Sequence, residues 1–158
     1  MKNTVPIEII YRNEAVKEAM RQYTDGSAGT DLIACLKGNS NALIIDPHTT
    51  EVVECGFKMF INDPNYVAKL YSRSGLSIKR AVGLANSVGV LDSDYQGEVM
   101  VALHNISNEA VEVYDGERVA QMLIEPVYHP LWNEVSEFSK STVRGAGGFG
   151  STGGASNG

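Results

Sequence analysis

Along most of the chain, apolar and β-branched residues alternate with polar ones, and turn-forming residues break the pattern about every ten positions, the signature of short half-buried strands. The alternation is clearest in residues 98 to 127, "EVMVALHNISNEAVEVYDGERVAQMLIEPV". There Val99, Val101 and Leu103 fall on one face, "NISN" and "YDGE" read as turns, and "RVAQMLI" resumes the strand pattern, which together predict an antiparallel meander. "PIEIIY", "TDLIACL", "ALIIDP" and "VECGFKMFI" predict further strands, with Pro6, Pro47, Pro64, Pro126 and Pro130 outside central strands. Helix is scarce. "NEAVKEAMRQY" predicts one short amphipathic helix capped by Asn13, and "SGLSIKRA" predicts another beginning at Ser74. The expected fold class is all-β, a barrel or sandwich, without repeats or an inner linker.

Composition narrows the classes. At 158 residues, 43% hydrophobic and 20% charged, the chain suits one domain with a real core. A net charge of −6 argues against a sequence-independent grip on a nucleic acid polymer, so any anionic ligand must be met locally. No run approaches the roughly 20 apolar residues needed to span a bilayer, so no membrane partner is expected and a cytoplasmic location is. Cys35 and Cys55 lack CxxC spacing, and His48, His104 and His129 lie far apart, which points to buried free thiols and away from a zinc site.

Three stretches carry candidate chemistry. In "YSRSGLSIKR", a helix starting at Ser74 would aim free N–H groups outward beside Arg73, with no side chain at Gly75 to block an anion; an ordinary Ser-capped helix start explains the same letters. In "NSVGVLDSDYQGEV", Gly89 and Gly97 read as flexible points between two apolar runs. Asp92 there, in an otherwise apolar setting near Tyr95 and Asn86, is placed to hold a water and a ring together, although turn aspartates also simply cap backbone. In "RGAGGFGSTG", five of the ten residues are glycine, interrupted by Arg144, Phe149, Ser151 and Thr152. Such a segment loses much entropy on ordering, so either it is a loose tail or a ligand compensates its closure. Asp31 and Gln121 are polar residues on otherwise apolar strands, where a solvent-facing position is the ordinary explanation.

In this order, "DGSAGTDL", "SRSGL", "NSVGVLDSDYQGE", "GERVAQM" and "RGAGGFGSTG" resemble the five motifs of the homotrimeric deoxyuridine triphosphate nucleotidohydrolases, across about residues 25 to 153. The resemblance implies a single-domain, jelly-roll-like (β-clip) barrel over residues 1–143 and a flexible arm, residues 144–158, that closes over a neighbouring subunit's site. It implies hydrolysis of dUTP to dUMP and pyrophosphate with Mg2+, which lowers dUTP and supplies dUMP for thymidylate synthesis, in a homotrimer whose subunits share each site. By the same resemblance Asp92 is the general base for a water attacking the α-phosphorus. Asn86, Gly89 and the hairpin backbone read uracil, and Tyr95 packs under the deoxyribose. Arg73, Ser74, Gly75 and Gln121 hold the phosphates. From the arm, Phe149 stacks on uracil with Gly150 beside it, while Arg144, Ser151 and Thr152 reach the γ-phosphate. No side chain is implied as a direct metal ligand; Asp31 is implied near the metal's waters.

Ser72 stands where the family usually has proline, which predicts a looser turn behind Arg73. Thr30 stands where the first motif often has an aromatic residue or leucine, and "GGASNG" continues past Thr152. A dCTP deaminase shares the implied fold, but the "RSSL" pattern is absent and the glycine-rich arm favours the hydrolase. A regulatory role, in which a nucleotide-dependent lid shows or hides a surface to a protein partner, stands as the reading from a different class.

Overall fold

The structure, a computed structural model, describes residues 4–21, 24–38 and 40–148. In chain order the elements are β1 (Glu8–Tyr11), α1 (Glu14–Arg21), β2 (Thr30–Ile33), β3 (Ala42–Ile45), β4 (Thr50–Phe60), β5 (Tyr66–Ser72), α2 (Ser74–Arg80), β6 (Val82–Leu84), β7 (Val88–Leu91), β8 (Glu98–Asn105), β9 (Val111–Tyr114) and β10 (Arg118–Pro126). Two four-stranded antiparallel sheets, ordered β1-β4-β8-β6 and β2-β10-β5-β7, and a ribbon β3-β9 make an all-β, jelly-roll-like fold. Residues Met1–Tyr128 form one compact unit and residues from His129 a second.

Alternation decides which side chains make the core. Val99, Val101 and Leu103 are buried on one face of β8, together with Val53 and Cys55 of β4 and Leu32, Leu70, Val119 and Ala120 of the other sheet. Cys35 and Cys55 are indeed buried free thiols. Both expected helices form. Asn13 caps α1 by accepting the Val16 N–H at 3.0 Å, and α1 buries Val16 and Met20. Between Glu54 and Lys58 the β4–β8 register shifts. There Gly56 has φ +75°, and a Cβ would lie 2.7 Å from Cys35 Sγ, so glycine is required for both conformation and space. Outside the core, Arg12 after β1 ties to Glu54 of β4 and to Glu98 of β8, the latter at 3.0 Å.

The meander expected over residues 98–127 does not form: β8, β9 and β10 pair with β4 and β6, with β3, and with β2 and β5 respectively. The buried Asn105 explains the first divergence. Its Nδ2 donates to the carbonyls of Ile45, at 2.9 Å, and Glu109, at 2.7 Å, and its Oδ1 accepts the Ser107 N–H at 2.9 Å. The "NISN" turn is thereby bound to the end of β3, and the chain passes from one sheet to the ribbon. The "YDGE" turn forms as expected, with Gly116 at φ +77° and the Glu117 N–H donating to the Tyr114 carbonyl at 3.0 Å. Pro126 closes β10, an interior strand, where exclusion was expected. Pairing of β10 with β2 ends at Met122, whereas pairing with β5 continues to Pro126, so the missing N–H faces no partner strand.

Candidate functional site

One cluster forms where β2, β10 and β5 run side by side. The register sets Asp31 opposite Gln121 and Gln121 opposite Tyr71. Asp31 is half-buried and ion-paired, in contrast to the solvent-facing position its strand pattern suggests: Arg73 Nε lies 2.8 Å from Oδ1 and Arg118 Nη1 3.3 Å from Oδ2. Gln121 Nε2 donates to the Ser72 carbonyl at 3.1 Å. A Cβ on Gly29 would lie 3.1 Å from Gln121 Oε1, so the glycine of "SAGTD" makes room for this amide. Asp31 and Gln121 line a cavity of about 590 Å³ together with Ser27, Gly29, Tyr71, Ser72 and Leu123. Tyr71 donates to Glu125 at 2.7 Å, and that bond holds its phenol above the usual range.

Arg73 is extended and precedes α2, whose first residues Ser74 and Gly75 are exposed; a Cβ at Gly75 would meet nothing within 4 Å. The Arg73 carbonyl accepts the N–H groups of Leu76 and Ser77, and no side chain caps the helix, so a Ser74 cap is not what starts it. Ser72, where a looser turn was expected, ties the turn through its side chain. Its Oγ accepts the Leu84 N–H at 2.9 Å, cross-linking the end of β5 to β6 and closing the excursion that carries Arg73.

A second group lies on β7 and the loop after it. Among the described residues the strand β7 is the edge of its sheet and pairs with β5 alone, so the loop joins two sheets and is not the turn of a β7–β8 hairpin. One side of its backbone is consequently unpaired by strand. Both glycines leave space that a side chain would fill. A Cβ on Gly89 would lie 3.0 Å from Leu70 Cβ, and one on Gly97 2.4 Å from the Tyr95 hydroxyl; neither residue has positive φ. The Tyr95 hydroxyl donates to the Glu98 carbonyl at 2.8 Å, which fixes the ring over Gly97. Asp92 accepts the Tyr95 N–H through its carbonyl at 3.1 Å. Asp92 and Asn86 are exposed, whereas an apolar setting was expected for Asp92. The reason is that it lies beyond the last residue of β7, past the cover of the core.

The two groups stand apart. Leu91 lies opposite Ala68 and Val88 opposite Tyr71, so Asp92 is level with Val67 while Arg73 follows Ser72 at the other end of β5. Six extended residues separate those levels, about 20 Å at about 3.3 Å per residue. In the second unit Arg144 is exposed, and its Nε donates to the Gly147 carbonyl at 3.0 Å. Phe149, Gly150, Ser151 and Thr152 lie outside the described residues.

Arg118 belongs to the first cluster and sequence reasoning left it out, although it sits in "GERVAQM" three residues before Gln121. What aims it is a register shift of β10 between Arg118 and Ala120, which strand alternation does not reveal. Among the described residues no three His, Cys, Asp or Glu side chains converge as metal ligands. Asp31 and the Gln121 amide are hard oxygen donors in one cavity, a set that suits the waters of a magnesium ion carried on phosphate oxygens.

Comparison with known proteins adds the following. The sequence model of the family described as dUTPase matches residues 16–153. A deoxyuridine 5'-triphosphate nucleotidohydrolase of Hydrogenovibrio crunogenus is 48% identical over 130 residues, covering 82% of this chain and 83% of that protein. Its counterpart in Hahella chejuensis is 43% identical over 154 residues, covering 97% and 99%. Among solved structures, the Staphylococcus bacteriophage 80alpha dUTPase G164S mutant with dUpNHpp superposes with a TM-score of 0.79 at 21% identity, over 95% of this chain and 99% of that one. A mutant dUTPase from phage phi11 of S. aureus, described with a coordinated structural Mg(II) ion, gives a TM-score of 0.71 at 19% identity, over 85% and 99%. At those identities the two structures show the shared fold.

Proposed function

Because the chain belongs to the dUTPase family, we propose how its own residues perform that family's reaction, the hydrolysis of dUTP to dUMP and pyrophosphate. The observation that carries the assignment of roles is the separation, about 20 Å along β5, between Asp92 and Arg73. A triphosphate is much shorter than that. Asp92 of one copy therefore serves a triphosphate held by Arg73, Ser74, Gly75 and Gln121 of another, and each active site is shared between subunits. A contact that offers different surfaces on its two sides closes into a ring when its rotation closes, and the ring we propose is a homotrimer.

In that site Asp92 accepts a proton from water as the water oxygen bonds to the α-phosphorus. The bond from the α-phosphorus to the bridging oxygen breaks, and pyrophosphate leaves with the electron pair. Arg73 and the free N–H groups at the start of α2 compensate charge on the phosphates. Asn86 and the backbone of β7 around Gly89 pair with uracil, where cytosine would leave buried groups unpaired at about 1–3 kcal/mol each. Tyr95, held by its bond to the Glu98 carbonyl, lies under the deoxyribose and excludes a 2′-hydroxyl. Magnesium, when bound to the triphosphate, supplies charge neutralisation there; Asp31 and Gln121 would receive its waters. Arg144, Phe149, Gly150, Ser151 and Thr152 close over the nucleotide and exclude bulk water, a cover suited to Asp92, which is exposed among the described residues.

The test is pyrophosphate release with magnesium from dUTP, dCTP and dTTP, with ammonia followed in parallel. Release from dUTP alone is expected; ammonia from dCTP would indicate a deaminase. Asp92→Asn is expected to bind a nonhydrolysable dUTP analogue normally and to lose about 10²–10⁴ in kcat. Full turnover in that variant would remove Asp92 as the base.

A further inference from the structure

The carboxylate of Asp31 is shared by two guanidinium groups, and the second of them has no role in the reaction as derived above. Arg73 Nε reaches Oδ1 at 2.8 Å and Arg118 Nη1 reaches Oδ2 at 3.3 Å. The two arginines are also joined directly, because Arg73 Nη1 donates to the Arg118 carbonyl at 3.2 Å. Asp31 has only 20% of its side chain exposed, so it cannot rely on water to replace a lost cation. Arg73 is the group that must face the triphosphate, and it cannot give its full donor set to phosphate while it is the carboxylate's sole counter-ion.

We propose that Arg118 is a positioning residue for triphosphate binding: it keeps Asp31 neutralised while Arg73 turns its donors to the phosphates, and its carbonyl guides that arginine. The inference rests on the dUTPase assignment above. The bulge in β10 between Arg118 and Ala120 is what brings both the carbonyl and the guanidinium of Arg118 to this corner while Gln121 stays in register opposite Asp31. Without Arg118, Asp31 competes with the substrate for Arg73. The cost then falls on the phosphate end of the ligand and spares the base and sugar, which the residues of β7 and its loop contact.

The full-length wild type, Arg118→Gln and Arg118→Lys are compared by calorimetric titration with a nonhydrolysable dUTP analogue and with deoxyuridine, with mass and melting temperature in solution as controls of fold. Arg118→Gln is expected to weaken the triphosphate by at least about tenfold and to leave deoxyuridine unchanged. Arg118→Lys, which keeps the charge with fewer donors, falls between and carries the test if the glutamine variant does not fold. In an Asp31→Asn background the Arg118→Gln penalty is expected to disappear, because no carboxylate then competes for Arg73. Equal losses on both ligands would make Arg118 merely structural, and an unchanged penalty in the Asp31→Asn background would mean direct contact with phosphate; either overturns the proposal. A wild type that binds neither ligand would overturn the dUTPase assignment instead.

Discussion

Gly97 shows how a single missing methyl group shapes the site. The Tyr95 hydroxyl occupies the place a Cβ would take, 2.4 Å away, and bonds the Glu98 carbonyl. Gly97→Ala is therefore expected to displace the ring, costing about 1–3 kcal/mol in thermal unfolding and loosening the discrimination of dUTP from UTP. At Cys55, burial is the largest influence, with the charge of Glu98 adding to it, and the thiol is pushed up to about 12 from 9.0. A pKa raised on folding means stability is complete below about 9 and is lost as pH rises toward about 12. Melting temperature should fall across that window, and Cys55→Ala, less stable at neutral pH, should show a flatter alkaline decline.

Ser72 acts between elements. Its side chain holds β6 through the Leu84 N–H and its carbonyl holds Gln121 of β10, so the end of β5 fixes both flanks of the segment that presents Arg73. Ser72→Ala leaves the Leu84 N–H without that acceptor, at about 1–3 kcal/mol of stability. Its kinetic effect is expected mainly as a raised KM for dUTP with kcat little changed, since the groups it steadies bind phosphate; steady-state kinetics with Ser72→Thr as the rescue variant checks this. Elements also explain the limits of pattern reading. Alternation located β8 and its buried face from Val99, Val101 and Leu103, yet the partner strands follow from Asn105 binding the end of β3, a contact 60 residues away in sequence.

For the molecule as a whole, the two halves of the proposed site lie at opposite ends of one sheet, and the shared site we propose needs a second copy to bring them together. Deleting residues 144–158 is expected to leave the fold and the proposed trimer intact, because among the described residues the buried core side chains all come from Val16 to Met122. Turnover should nevertheless be nearly lost with the lid. Mass in solution together with pyrophosphate release checks both parts, and normal turnover would show that closure comes from elsewhere.

The amino-acid sequence by itself determined the strand-rich class, both helices, the buried thiols and the motif residues, because side-chain period, capping and turn chemistry are local properties. Local properties also mark Asp31, Gln121 and Arg73 as residues of interest while leaving their partners unknown. Tertiary structure decided that these three form one cluster with Arg118, that β7 is an edge, that Ser72 ties a turn, and that Gly89 and Gly97 leave space beside Leu70 and Tyr95. Each of those depends on the register of strands distant in sequence, and a bulge of one residue redirects a side chain without altering the pattern that predicts the strand.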